Sequence, residues 1–180
     1  MKKTAILLPF ICFCTLAAAQ SHSDYVNPFI GTDGMGHTFP GACVPFGGVQ
    51  LSPDTDTIPH NVSGKYQPEV YETCAGYRYS APTIVGFSHT HFSGTGHSDL
   101  GDILVMPATG EVRLNPGTAD NPDGGYRSRF SHDGEKATPG YYEVTLADYG
   151  IRAQLTATQR TGIHKYTFPE GKDGHIVIDL

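Results

Sequence analysis

Strict alternation of apolar and polar side chains near the C-terminus constrains the fold more than any other feature of this sequence. Segments 141–146 and 151–157 alternate on either side of a turn at 148–150. A period of two residues places successive side chains on opposite faces of a strand. The pattern therefore predicts an antiparallel meander with one buried face, continued by strands at 165–168 and 175–180.

Shorter apolar runs rich in β-branched residues predict further strands upstream. They lie at 48–51, 83–87, 102–106, 111–114 and 126–130. The 22 glycines and 13 prolines favour turns, and no segment keeps a helical period over any length. The sequence therefore predicts a mainly β fold, an antiparallel β-sandwich, with long ordered loops between residues 27 and 80.

The N-terminus has the order of a secretory signal peptide. Lys2 and Lys3 precede an apolar run from Ala5 to Leu16, and three alanines follow before Gln20. We assign residues 1–19 as a signal peptide of bacterial type and residues 20–180 as the mature domain. This predicts export, to the periplasm or outside the cell. A buried N-terminal helix and lipoprotein processing fit the same residues less well.

Net charge argues against some classes of ligand, and the cysteines leave two alternatives open. Loss of Lys2 and Lys3 with the signal peptide changes the net charge from −6 to −8, which argues against nucleic acid as a ligand. No later apolar stretch is long enough to span a membrane. Cys43 and Cys74 remain after cleavage, and either a disulfide or two buried thiols is compatible with the sequence.

A glycine-rich segment at 27–41 is the first candidate for a binding site. Glycines, Gly34 and Gly36 among them, allow positive φ angles and a close approach of backbone to ligand, and His37 adds a polar ring. Such a loop suits a ligand rich in hydroxyl groups. The alternative is a tight loop that only caps the sandwich.

A second candidate lies at 86–102, where His89, His91, Asp99 and Asp102 accompany several glycines. In an extended segment His89 and His91 project to the same side. A metal site or a sugar pocket would fit these residues. Buried histidines bonded to carbonyl groups, with aspartates that fix turns, would fit as well. The metal therefore remains unassigned.

Several longer motifs occur along the chain in a definite order. They are Asn27–Thr32, His37–Ala42, Val44–Gly47, Gln50–Thr55, Gly76–Tyr77, Gly86–His91, Ser93–Gly96 and Asp102–Pro107. This succession resembles the N-terminal domain of glycoside hydrolase family 92, from about Asp24 to Leu180. An ordered set of motifs is far more specific than any one of them.

The resemblance implies a two-domain enzyme: an N-terminal β-sandwich and a C-terminal (α/α)₆ barrel, with the pocket between them. Members of the family are exo-acting α-mannosidases on N-glycans or mannan, which invert the anomeric configuration and require calcium. The resemblance thus implies two partners, a mannose-containing glycan and the chain's own C-terminal catalytic domain. Because the sequence stops within a predicted strand, we expect residues 20–180 to be a domain truncated at its C-terminus.

An inverting hydrolase needs a carboxylic acid and a carboxylate base. The resemblance implies that both lie downstream, so no catalytic residue is assigned here, and that most calcium ligands lie outside this chain. The 180-residue chain alone is expected to be inactive. The candidates for contact with mannose are Gly34, Gly36, His37, His89, His91, Asp99 and Asp102, with Asp54 beside them.

Two other functions remain as alternatives. A stand-alone carbohydrate-binding β-sandwich would need an exposed aromatic platform, and the chain contains no tryptophan. A metal-dependent β-barrel enzyme using His89 and His91 would need a further carboxylate ligand shortly after them, and segment 92–98 contains no glutamate.

Overall fold

The computed structural model describes residues 21–56, 61–94 and 100–180. The predicted signal peptide and Asp99 lie outside these ranges. Within them the chain forms one helical turn, α1 (Val70–Thr73), and 3₁₀ turns at His22–Tyr25, Pro122–Gly124 and His132–Gly134. No helix in the described part of the chain combines the length and apolar character that crossing a bilayer requires.

Thirteen short strands make up most of the regular structure of the described ranges. They are β1 (Ala42–Cys43), β2 (Gln50–Asp54), β3 (Asn61–Val62), β4 (Lys65–Tyr66), β5 (Thr83–Ile84), β6 (Gly86–Ser88), β7 (Leu104–Thr109), β8 (Ser128–Arg129), β9 (Glu135–Thr138), β10 (Tyr141–Leu146), β11 (Ile151–Ala157), β12 (Gly162–Thr167) and β13 (Gly174–Asp179). Five form one sheet in the order β1-β2-β6-β7-β13, and four form a second in the order β12-β11-β10-β9. Two small pairs, β3-β4 and β5-β8, stand apart, and the pairings described are antiparallel.

The core lies between the two large sheets. Val144 of β10 and Leu155 of β11 face it from one sheet, and Phe87 of β6 and Met106 of β7 face it from the other. All four are at most 1% exposed. Burying a side chain of this size stabilises the fold by about 1.5–3 kcal/mol. The arrangement confirms the predicted mainly β, antiparallel sandwich.

The predicted meander is confirmed over 141–167, where β10, β11 and β12 pair in sequence. Its predicted last strand was assigned to the wrong sheet. β13 crosses to the five-stranded sheet and pairs with β7, with Val177 opposite Met106. The Gly110 N–H donates to the Asp173 carbonyl and fixes the start of this pairing. Val177 thereby reaches the core from the other side.

The strand predicted at 111–114 is wrong. β7 ends at Thr109, and Gly110, with φ +83°, turns the chain away from the sheet. Val112 and Leu114 are 59% and 81% exposed, so the alternation there does not correspond to a buried face. Arg113 instead donates to backbone carbonyls of the following loop.

The remaining predicted strands are present, but they begin or end at other residues than predicted. The segment 83–87 divides at Val85, whose N–H donates to the Asp54 carbonyl at 2.7 Å, so its halves join different sheets. The segment 126–130 contributes only β8, which pairs with β5. The strands predicted at 48–51 and 102–106 both begin two residues later than expected.

Candidate functional site

The glycine-rich loop at 31–41 closes on itself through backbone contacts. The Thr38 N–H donates to the Gly31 carbonyl at 3.2 Å. A Cβ at Gly36 would lie 2.1 Å from that carbonyl oxygen, so only glycine fits where the two segments cross. Gly34, at φ +57°, is exposed, with open space beside it. The loop therefore presents compact, accessible backbone.

His37 joins this loop to the segment that follows β6. It has a positive φ of 50°, and its carbonyl accepts a 2.6 Å hydrogen bond from the Gly94 N–H. Its Nδ1 lies 2.8 Å from the Cys74 thiol, and the Tyr71 ring meets it edge-on. Three segments distant in sequence thus converge on His37.

The possible disulfide between Cys43 and Cys74 is not formed in the structure, which has both residues as thiols. The Cys74 thiol turns towards His37, whereas Cys43 lies on β1 beside a surface groove. Burial raises the pKa of both thiols, which favours the protonated form. Of the two alternatives left open by the sequence, the structure has the pair of thiols.

His91 lies beneath the loops, only 3% exposed, in a buried ion pair with Asp54. Its Nε2 donates to Asp54 Oδ1 at 3.0 Å and lies 3.1 Å from Ser88 Oγ, and its Nδ1 donates to the Gln50 carbonyl at 2.7 Å. Burial disfavours the charge, but the Asp54 carboxylate and these hydrogen bonds outweigh it and raise the pKa of His91. The pair anchors the loop after β6 to β2.

Gly76 packs directly against the His91–Asp54 ion pair. Its φ is +83°, and a Cβ there would lie 2.3 Å from Asp54 Oδ1 and 2.8 Å from the His91 ring. Its carbonyl accepts the Thr55 N–H at 2.9 Å. The segment containing α1 is therefore packed directly on the charged pair.

His89 does not share the surroundings of His91, because β6 ends at Ser88 and the chain bends. The His89 ring points to the other large sheet, where its Nε2 lies 3.1 Å from Nε2 of His164 on β12. The two histidines predicted to project together thus have separate partners.

Asp102 is exposed and accepts hydrogen bonds from residues of the loop that follows β6. Its carboxylate accepts the Thr90 hydroxyl at 3.0 Å, and its carbonyl accepts the His89 N–H at 3.1 Å. Within the described ranges, no three histidine, cysteine, aspartate or glutamate side chains are grouped so that they could hold a metal ion.

A groove of about 550 Å³ lies beside the converging loops. Its rim is apolar and open to solvent: Phe46 is fully exposed, and Val26 and Phe92 are 54% and 53% exposed. His91 and Gln50 contribute to its lining. The loops therefore combine accessible backbone with apolar surface, a combination that suits a sugar ring held against a further surface.

Sequence analysis missed a buried carboxylate near these loops. Glu135 of β9, with its side chain 1% exposed, accepts hydrogen bonds from Tyr77 at 2.9 Å and from Tyr142 at 2.6 Å. His132 approaches the same carboxylate and stacks on Tyr79 at 3.8 Å between ring centres. Only Tyr77 belongs to one of the ordered motifs, and Glu135 reaches it, Tyr142 and His132 through contacts that form only in the folded chain.

Comparison with known proteins gives a consistent result. The model of the glycosyl hydrolase family 92 N-terminal domain matches residues 25–180. The GH92 α-mannosidase BT3965 from Bacteroides thetaiotaomicron is 52% identical, with a TM-score of 0.79, over 87% of this chain and 20% of its own. The GH92 inverting mannosidase BT2199 from the same species is 28% identical, with a TM-score of 0.65, over 89% of this chain and 20% of its own.

An uncharacterized secreted glycosidase of Arthroderma benhamiae is 30% identical over 181 residues, which cover 91% of this chain and 20% of the relative. The chain thus spans about a fifth of the length of the relatives it matches.

Proposed function

The chain belongs to glycosyl hydrolase family 92, and we propose that it is the N-terminal part of an exported, inverting exo-α-mannosidase that acts on N-glycans or mannan. The observation that carries this proposal is the 52% identity, over 87% of the chain, to an α-mannosidase of known structure. The secreted glycosidase among its relatives supports export, with residues 1–19 as the signal peptide.

In this proposal the described loops form one wall of the mannose pocket. The accessible backbone around Gly34 and Gly36, with His37, contacts the hydroxyls of the terminal mannose, while the Gly34 and Gly36 N–H groups themselves donate to Asp33. His91 and Asp54 act from beneath, because their polar atoms already bond to each other and to neighbouring groups. Asp102 and His89 lie at the edge of the loop that follows β6, and Asp99, outside the described residues, remains a candidate from the sequence.

We propose that the chemistry itself is carried out by another part of the full-length enzyme. Inversion requires an acid that protonates the leaving oxygen and a base that activates water on the opposite face of the sugar. We place both on a C-terminal domain that closes over the apolar rim of the groove. This chain's residues would bind the mannose, orient it and exclude water.

Calcium is part of the proposal for the full-length enzyme only. Calcium takes six to eight oxygen ligands, several of them carboxylates. The described residues include no cluster of that kind, so they do not fit the ion. We propose that the ligands of the calcium ion lie outside this chain.

The test is hydrolysis of an aryl α-mannoside by the full-length enzyme with calcium present, with the first-formed anomer followed by proton NMR. We expect β-mannose to appear first. We expect Gly36→Ala to lower kcat/KM by about 100-fold, since a Cβ there forces the loop apart and misplaced binding groups cost about that much.

Gly134→Ala is the matched control, because a Cβ there meets only ordinary contacts at 3.4 Å or more. It should retain activity. A full-length protein that leaves α-mannosides intact, or a Gly36→Ala enzyme as active as the control, would refute the proposal.

A further inference from the structure

His89 and His164 face each other between the two large sheets of the sandwich. His89 follows β6 of the five-stranded sheet, and His164 lies on β12 of the four-stranded sheet. Their Nε2 atoms are 3.1 Å apart. The pair connects the sheets through two atoms that can each bind a proton or a metal ion.

The other nitrogen of each ring already has a partner. His89 Nδ1 lies 2.8 Å from the Ile103 carbonyl, which only accepts, so this nitrogen carries a hydrogen. His164 Nδ1 lies 2.6 Å from the Tyr166 hydroxyl, which can donate or accept. Histidines that bind metals characteristically use the second nitrogen in this way, which fixes the ring and its tautomer.

The separation of the ring centres fits two nitrogens that face one ion. If their Nε2 atoms met head-on at this distance, the ring centres would lie roughly 5.4 Å apart, given that hydrogen bonds prefer linear geometry. Rings directed at one ion about 2.05 Å from each nitrogen would have centres roughly 4.8 Å apart. The observed separation is 4.9 Å, which agrees with convergence.

Packing fixes the His89 ring, and burial favours the neutral form of His164. A Cβ at Gly162 would lie 2.8 Å from the His89 ring, so that ring rests directly on backbone. Burial and the neighbouring His89 lower the pKa of His164 to about 4. His164 is therefore neutral near pH 7, the form in which imidazole binds a metal.

We propose that His89 and His164 form a binding site for a borderline divalent transition metal such as zinc, which bridges the two sheets while water completes its coordination. An ion about 2.05 Å from both nitrogens would subtend roughly 100° between them, near the tetrahedral angle. This site is chemically distinct from a calcium site, since calcium prefers oxygen ligands.

Zinc would replace the hydrogen that the two Nε2 atoms now share. In the metal-free pair His164 Nε2–H donates to His89 Nε2, and Tyr166 donates to His164 Nδ1. On binding, the hydrogen moves from His164 Nε2 to Nδ1, where the Tyr166 oxygen accepts it. This transfer releases no proton, so the measured enthalpy should be independent of the buffer.

Calorimetric titration of zinc chloride into the chelator-treated full chain tests the site. We expect one zinc per chain, and binding weakened by about tenfold or more in His89→Gln and in His164→Gln. His22→Ala, an exposed histidine in the 3₁₀ turn at the N-terminal end of the described chain, is the control and should bind as the unchanged protein does.

Imidazole ¹⁵N NMR of the unchanged chain gives a second test that needs no substitution. Zinc should shift the Nε2 resonances of His89 and His164 and leave that of His22 in place. The proposal is overturned if zinc does not bind, if it shifts other histidines instead, or if the glutamine variants bind it normally. None of these results depends on mannosidase activity.

Discussion

At Gly76, the backbone conformation and the packing of neighbouring side chains both require glycine. Its φ of +83° disfavours any L side chain, and a Cβ would meet Asp54 Oδ1 at 2.3 Å. We expect Gly76→Ala to destabilise the fold by about 3 kcal/mol or more, because it combines backbone strain with overpacking. Urea unfolding of the variant and the unchanged chain measures this.

Gly171→Ala separates the two causes. Gly171 has a similar φ of +72°, but no atom lies within 4 Å of its missing Cβ. Its substitution should therefore cost only the backbone strain, about 1–2 kcal/mol. If both variants lost the same free energy of unfolding, the His91–Asp54 pair would have to move aside for the added methyl group at little cost, which would contradict the packing argument.

Tyr142 links stability to alkaline pH. Burial, then the Glu135 carboxylate that accepts its hydrogen bond, raises the pKa of Tyr142 well above its ordinary value. Above about pH 10 the unfolded chain loses a proton that the folded chain keeps, so the free energy of unfolding falls as pH rises. Below that pH this contribution is constant.

Tyr142→Phe should make the loss of stability above pH 10 less steep, while costing about 1–3 kcal/mol at neutral pH, because Glu135 loses a buried donor. Urea unfolding between pH 8 and 11 in roughly unit steps compares it with Tyr25→Phe, whose side chain is 73% exposed. An unchanged alkaline slope in Tyr142→Phe would contradict this assignment. Tyr77, which bonds to the same carboxylate, should retain part of the slope.

At the scale of the element, β13 shows how one strand can be half core and half surface. Val177 is 9% exposed, whereas its neighbour Ile176 is 51% exposed on the opposite face. We expect Val177→Ala to lower the free energy of unfolding by about 1.5–2.5 kcal/mol through lost burial and a cavity. Ile176→Ala should change it by less than about 0.5 kcal/mol.

The same pair of variants tests which face of β13 is turned to the core. Val177 is the sensitive residue in the observed pairing because it lies opposite the buried Met106 of β7. A larger effect at Ile176 than at Val177 would therefore contradict the observed pairing.

The sequence predicts correctly those strands that pair with their neighbours along the chain. Alternation and turn residues define β10 and β11 almost residue by residue, because their pairing is with each other. β13 pairs with a strand some seventy residues earlier, which no local pattern indicates. The segment 111–114 alternates without a partner, so the same pattern there predicted a strand that does not exist.

The candidate site shows the same difference between features set by local sequence and features set by tertiary contacts. Ordered motifs identified the loops around Gly36 and His91, but their side-chain partners depend on tertiary contacts. His91 pairs with Asp54 and His89 with His164, each across a sequence distance of at least 37 residues. The predicted projection of His89 and His91 to one side failed because the strand ends before them.

At the scale of the whole molecule, three carboxyl groups are held ionised by their structural partners. A general acid needs a carboxyl group with a raised pKa, so that it carries a proton near neutral pH. Among the described residues, every carboxyl group with a resolved shift has a lowered pKa: Asp33 through the Gly34 N–H, and Asp123 and Glu143 through arginine partners. A carboxylate that stays ionised cannot protonate a leaving oxygen.

We therefore expect the 180-residue chain to leave an aryl α-mannoside intact with calcium present, under conditions where the full-length enzyme hydrolyses it. The groove beside Phe46 and Phe92 would then lack the opposing surface that closes the pocket and carries the acid. Activity of the chain alone, abolished by a chelator, would place the acid and base within it. Activity regained on mixing the chain with the separately prepared remainder would support the division of labour proposed for the two parts.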